Sequence, residues 1–312
     1  MSLYINSEMN TDRTINQLIE DFLSDQDIKE QSRNSYRGNM NQFFRYLNVQ
    51  KVDVRQPHKA DIITFKSHLL KSGKSESTIN FYLTTVKQFY IWTESTGIYP
   101  NIATGVHSPK KYTGHRKKYL KPEQVKELLS TMPRQTISDF RNFAIVNLMV
   151  RTGIRRIEIH RMNVSDIFEM NGLYFMKLQR KGRNFKDQTL GITEKAVNPI
   201  YEYLSLRESG KPDEPLFINH SHHNPNTRLN ENTISVMIKD SLKAIGINDP
   251  AITGHSLRHT FAITAIRAGI TIPDLQKTLG HRNSQTTDLY LTAIDEETRT
   301  NNNVGKAIDT MF

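Results

Sequence analysis

The chain has 312 residues, 37% hydrophobic and 24% charged, enough for one large domain or two modest ones around a buried core. No stretch reaches the roughly 18 consecutive apolar residues of a membrane span; the polar first dozen residues lack the apolar run of a signal peptide; and the lack of cysteine excludes disulfides and thiolate metal sites and suits a reducing cytoplasm. The formal net charge is +10, and six of those charges fall in residues 109–121, where Lys110, Lys111, Arg116, Lys117, Lys118 and Lys121 stand with no acidic residue.

From the N-terminus, apolar residues recur at helical spacing. Ile15, Leu18, Ile19, Phe22 and Leu23 mark a first helix, and Tyr36, Met40, Phe43, Phe44 and Leu47 a second. Ile62, Phe65 and Leu69 mark a third, ended by Gly73; Ile79, Tyr82, Leu83, Val86, Phe89 and Tyr90 mark a fourth, from a Ser77 cap towards Gly97. Aromatic residues at this spacing, Trp92 included, are read as core. Gly97 and Pro100 close this helical module, assigned to residues 1–108. The basic segment 109–121 follows as an interdomain linker. A solvated strap is the ordinary reading of such a charge run, and a strap across a phosphate backbone is the functional one.

A second domain, 122–312, opens at Pro122, placed near a helix start. Helical patterns cover 122–131 and 137–151, Thr152-Gly153 breaks the second, and a short helix follows around Arg155–Arg161. Leu173–Leu178 and Thr189–Ile192 read as the strands of a β-hairpin about the polar turn Arg180–Asp187. Helices return at about 194–208, 231–245, 256–268, 272–279 and 284–292, with a polar loop from Phe217 to Arg228. His220, His222 and His223 in that loop lack carboxylates at ligand spacing, which favours an exposed polar loop over a metal site. The fold class is mainly α with a small antiparallel β-sheet, in two domains.

Three separated motifs carry chemistry: Thr152-Gly153-Ile154-Arg155-Arg156-Ile157-Glu158, Gly254-His255-Ser256-Leu257-Arg258-His259-Thr260-Phe261-Ala262, and Leu279-Gly280-His281 followed nine residues later by Tyr290. Arginine and histidine donate to non-bridging phosphate oxygens, and arginine can do so with two parallel bonds. His255 and Arg258, three apart at a helix start, can face one anion. A tyrosine after a histidine loop offers a nucleophile whose adduct would conserve phosphodiester bond energy without metal or nucleotide. Taken singly, each piece is more often structural; their joint order and spacing are not ordinary.

Together the motifs resemble the signature boxes of the tyrosine recombinase (lambda integrase–Xer) family, and Ser77–Trp92 resembles the last helix of its core-binding domain. The resemblance implies a SAM-like core-binding domain and a catalytic domain clamped on opposite faces of double-stranded DNA. Arg155, His255, Arg258 and His281 would hold the scissile phosphate. Tyr290 would attack it to leave a 3′-phosphotyrosine, with strand exchange through a Holliday junction. His255 would help take the tyrosine proton, and Glu158 would buttress Arg155. The family's hairpin lysine, general acid for the leaving 5′-oxygen, falls on Lys181, with Lys186 on the same turn as its competitor. No cofactor and no metal is implied. The implied partners are inverted-repeat core sites, a homotetramer on two sites with cyclic exchange of C-terminal tails, and an accessory protein, in a cytoplasmic, nucleoid-associated setting and away from membranes. The few residues before the first helix leave no room for a further arm-binding domain, which suggests the simpler Xer- or Cre-like arrangement.

Two positions depart from the family pattern. Arg156 and Ile157 stand where an apolar and then a small residue are usual, though Arg155 holds the place after Thr-Gly-Ile. The second hairpin strand reads Thr189-Leu190-Gly191-Ile192 in place of a Val-Pro-Leu type of run. Two rival functions share these features: a type IB topoisomerase, and a catalytically inactive DNA-binding regulator, which would not require Tyr290.

Overall fold

A computed structural model describes residues 14–109, 118–207, 210–280 and 290. The chain divides into two compact units, 1–114 and 115–312.

The first unit is helical: α1 (Ile15–Asp25), α2 (Glu30–Val49), α3 (Lys59–Lys71) and α4 (Glu76–Ser95). The residues at helical spacing converge on one core, where Phe22, Phe43, Phe65, Leu83 and Val86 are fully buried and Trp92 is 7% exposed. Aromatic rings there meet edge to face, as Phe43 does with Phe65 at 5.1 Å and Phe22 with Phe89 at 5.5 Å, a geometry that sets positive ring edges against negative faces. The expected Ser77 cap is corrected to Ser75. Its backbone is extended and its hydroxyl accepts the Thr78 N–H at 3.2 Å, so Ser77 lies inside the first turn.

The second unit begins with α5 (Pro122–Thr131) and α6 (Ile137–Thr152). Pro122 stands at the start of α5, where its missing N–H costs nothing. Thr136 and Asp139 form a capping box that opens α6, and Gly153, at φ +64°, closes it. From Phe143 to Met149 every residue of α6 is buried, which makes it the central helix of the unit. After α7 (Arg156–His160) come β1 (Ile167–Met170), β2 (Leu173–Leu178) and β3 (Gln188–Ile192). They form an antiparallel meander in the order β1-β2-β3, with Ile167 opposite Met176 and Met176 opposite Leu190. Helices α8 (Glu194–Ser205), α9 (Glu231–Ala244), α10 (Gly254–Arg267) and α11 (Ile272–Leu279) complete the described part.

The hairpin expected from the sequence is therefore the outer part of a three-stranded sheet. The additional strand is joined by Asn171-Gly172, both at positive φ as a tight hairpin turn requires. The expected helix at 284–292 lies outside the described residues, apart from Tyr290. Among the described residues no helix is long and apolar enough to cross a membrane.

Candidate active site

The left-handed cap at Gly153 turns the chain so that Arg155 follows α6 at the mouth of α7. A Cβ at Gly153 would come within 2.5 Å of the Phe261 ring and 2.9 Å of Leu279, so glycine lets the ends of α6, α10 and α11 meet. The Arg155 backbone N–H donates to Glu158 Oε2 at 2.8 Å, and its Nη1 to Glu158 Oε1 at 3.0 Å. Arg156 turns elsewhere, laying its aliphatic stem against Gly254 at the start of α10.

Thr253 caps α10, accepting the His255 N–H at 3.3 Å. One turn on, Arg258 is 5% exposed and donates from Nη1 to the Gly153 carbonyl and from Nη2 to the Leu279 carbonyl, both at 2.7 Å. Arg155 Nη1 reaches the same Leu279 carbonyl at 3.4 Å. Two arginines thus converge on the C-terminal end of α11, where unpaired carbonyls and the helix dipole attract positive charge.

Glu158 is fully buried and also accepts Arg180 Nη1 at 2.9 Å. Two guanidinium groups therefore share a single carboxylate, with that of Arg258 nearby on the Gly153 and Leu279 carbonyls. Tyr290 sits beside them, 1% exposed, in an apolar cluster with Ala262, Ile263, Leu275 and Leu279. The His259 ring meets its ring edge to face at 5.2 Å, and the Arg258 guanidinium is close enough for its charge to act on the hydroxyl. Burial pushes the Tyr290 phenol above its usual pKa, against the pull of Arg258 and Arg155. Burial, helped by the neighbouring charge of Arg155, lowers Arg258 to about 10, which leaves it charged at neutral pH.

Arg155, Glu158, Arg258 and Tyr290, far apart in sequence, are thus brought together. His255 is on the helix of Arg258 with an exposed side chain, and Lys181 is exposed on the β2–β3 turn beside Arg180. Lys186 is turned away, pairing with Asp166, a carboxylate 3% exposed that also caps the Asn163 N–H at 2.6 Å. Of the basic segment, Lys118 pairs with Asp249 at 2.5 Å and Lys121 precedes α5. Lys110, Lys111, Arg116, Lys117 and His281 lie outside the described residues. Sequence reasoning passed over Arg180 and His259. Both stood inside motifs already singled out, next to Lys181 and Arg258, and that adjacency was the signal. His220, in the polar loop, places Nε2 3.1 Å from the Tyr203 hydroxyl; among the described residues no three His, Cys, Asp or Glu side chains gather as a metal site.

Residues 118–297 match the phage integrase family, and residues 15–97 match the phage integrase N-terminal SAM-like domain. The chain belongs to the phage integrase family. It is a tyrosine recombinase by descent, within a family of site-specific DNA recombinases. Among its curated relatives are the tyrosine recombinase XerC of Roseiflexus castenholzii, 27% identical over 88% of each chain, and XerA of Pyrococcus horikoshii, 26% identical over 95% of each. The integrase fold extends to solved structures. XerH recombinase bound to a palindromic difH substrate superposes with a TM-score of 0.71 at 18% identity, over 90% of this chain and 82% of that one. A lambda integrase dimer bound to a COC′ core site gives 0.67 at 15% identity, over 87% and 96%.

Proposed function

We propose that this recombinase cuts and rejoins DNA through a covalent bond to Tyr290. The observation that carries the reading is the pairing of a buried tyrosine with surplus guanidinium charge. Arg155 and Arg180 share one carboxylate, Arg258 is bonded to backbone carbonyls, and the charges of Arg258 and Arg155 act on the phenolic oxygen. An anion drawn to Arg155 and Arg258 would meet the nucleophile at the same place. As a pentacovalent phosphate develops charge, donors already fixed by the Gly153 and Leu279 carbonyls would stabilise it without reorganising.

In this reading the Tyr290 oxygen bonds to phosphorus as the bond to the 5′-oxygen breaks. His255 takes the phenolic proton, Lys181 supplies a proton to the leaving oxygen, and His281 completes the phosphate cradle. Glu158 holds Arg155. Lys186, engaged with Asp166, is the weaker candidate for the acid. The 3′-phosphotyrosyl bond keeps the energy of the phosphodiester, so neither metal nor nucleotide is needed. The 5′-hydroxyl of a partner strand then reverses the step, and two exchanges pass through a Holliday junction. Lys110, Lys111, Arg116, Lys117, Lys118 and Lys121 would lie along phosphates between the two units, each neutralised phosphate releasing counterions. A tetramer on two inverted-repeat sites, tails exchanged in a cycle, is the assembly proposed. Related assemblies support it, since a lambda integrase tetramer has been seen bound to a Holliday junction.

The test uses nicked suicide duplexes tiled across the DNA flanking the protein's own coding region. The expected result is an SDS-resistant protein–DNA adduct on one tile, absent with Tyr290→Phe; an adduct that persists in the variant contradicts the assignment. Specific binding without any adduct would favour a DNA-binding regulator. On a plasmid carrying two copies of the mapped site, recombinant circles identify a recombinase, whereas relaxed topoisomers alone identify a type IB topoisomerase.

A further inference from the structure

Arg180 is a buried cation that the reaction scheme does not use. It stands 6% exposed, immediately before Lys181, and every arm of its guanidinium is committed. Nη1 donates to Glu158 Oε2 at 2.9 Å, Nε to Gln188 Oε1 at 2.5 Å, and Nη2 to the Thr278 carbonyl. Its own carbonyl accepts the Arg183 N–H at 3.0 Å, closing a turn that begins at Arg180, and accepts Arg161 Nη1 at 3.3 Å. Gln188, across the hairpin on β3, adds a second tie, donating from Nε2 to the Lys277 carbonyl at 2.7 Å. The guanidinium also lies over Gly280, where a Cβ would come within 2.7 Å of Nε. One side chain therefore joins three parts: the turn bearing Lys181, the Glu158–Arg155 pair, and the end of α11 that leads to His281.

We propose that Arg180 is the positioning residue that holds the Lys181 turn in register with the phosphate-binding arginines. The proposal rests on Lys181 being the general acid. Lys181 itself is exposed, on a flexible four-carbon stem, and Arg180 is its immediate neighbour in the chain. Burying Arg180 against Glu158 is costly unless the geometry is well satisfied, and three acceptors at hydrogen-bonding distance, one for each nitrogen, satisfy it. Acid catalysis is sensitive to such placement, because the donor must lie within hydrogen-bonding reach of the departing oxygen.

A leaving group that needs no proton separates this role from general support of the fold. Single-turnover cleavage would be compared on the mapped site with an ordinary 5′-oxygen and with a 5′-bridging sulfur at the scissile phosphate, since a thiolate departs without an acid. Lys181→Ala should lose about 100-fold or more on oxygen, the usual scale of acid catalysis, and recover on sulfur. Arg180→Gln should lose on the order of 10- to 100-fold on oxygen and recover to within about threefold of wild type on sulfur. An Arg180→Gln deficit of the same size on both substrates would overturn the proposal and assign the residue to Arg155 and Glu158 instead. If Lys181→Ala were not rescued by sulfur, the assignment of the acid would fall, and the inference about Arg180 with it. Should Arg180→Gln lose its cooperative melt, Gln188→Leu carries the test, because it loosens the same clasp without uncovering Glu158. A smaller, sulfur-rescued deficit supports the proposal. No deficit on oxygen, or one that sulfur leaves unchanged, refutes it.

Discussion

Tyr290 combines two properties in tension: it is packed like a core residue, yet the charges of Arg258 and Arg155 act on its hydroxyl. Burial wins, so the phenol keeps its proton above its usual pKa of 10.0. A tyrosinate difference spectrum between wild type and Tyr290→Phe should therefore show no step until the pH exceeds about 10; a step below that would mean that the arginine field dominates. The sign carries over to stability. Below about pH 10 folded and unfolded chains both hold the proton; above it the unfolded chain releases it first, so this residue makes the fold less stable as the pH rises through that range. At neutral pH Tyr290 therefore keeps its proton, so the proposed step needs a proton acceptor such as His255. Glu158 explains how the surrounding charge is tolerated, since a carboxylate bonded to Arg155 and Arg180 relieves two guanidiniums that would otherwise repel each other.

At the scale of elements, the site is assembled where helices end. The close of α6, the start of α7, the first turns of α10 and the close of α11 meet around Gly153 and Leu279. Gly153→Ala should accordingly cost more than about 2 kcal/mol, from a left-handed backbone that alanine disfavours by roughly 1–2 kcal/mol and from overpacking against Phe261. The midpoint of urea unfolding measures it. Adding Phe261→Leu should restore the packing part and leave the backbone part, while full restoration would show that the left-handed conformation is not demanded. Most of these elements were legible in the sequence, because amphipathic helices announce themselves by spacing and their ends by punctuation such as Pro122 and Gly153. The first strand was not. Ile167-Phe168-Glu169-Met170 is short and lacks strict alternation, and the informative signal was the Asn171-Gly172 turn after it. The partners of Arg258 were illegible for a different reason: they are carbonyls, and no side-chain pattern encodes which backbone oxygen a buried guanidinium will find. The pairing of Lys186 with Asp166, a carboxylate 20 residues away in the chain, was likewise not legible in the sequence.

Across the whole molecule, the two units have separate cores, the first built from aromatic helices and the second around α6. Every residue proposed to take part in the cleavage step falls in the second, within the span that matches the phage integrase family, while the first matches the SAM-like domain. The +10 charge is shared unevenly, with most of the excess in residues 109–121, which span the boundary of the two units. That distribution suits the proposed contact with phosphates, which would give binding a strong salt dependence. The central claim, a covalent bond from Tyr290 to DNA, is tested most directly by digesting the trapped adduct with protease and nuclease and sequencing the modified peptide by mass spectrometry. The account predicts a nucleotide 3′-phosphate on the oxygen of Tyr290 and on no other residue. A nucleotide found on another side chain, or attached through its 5′-phosphate, would contradict it.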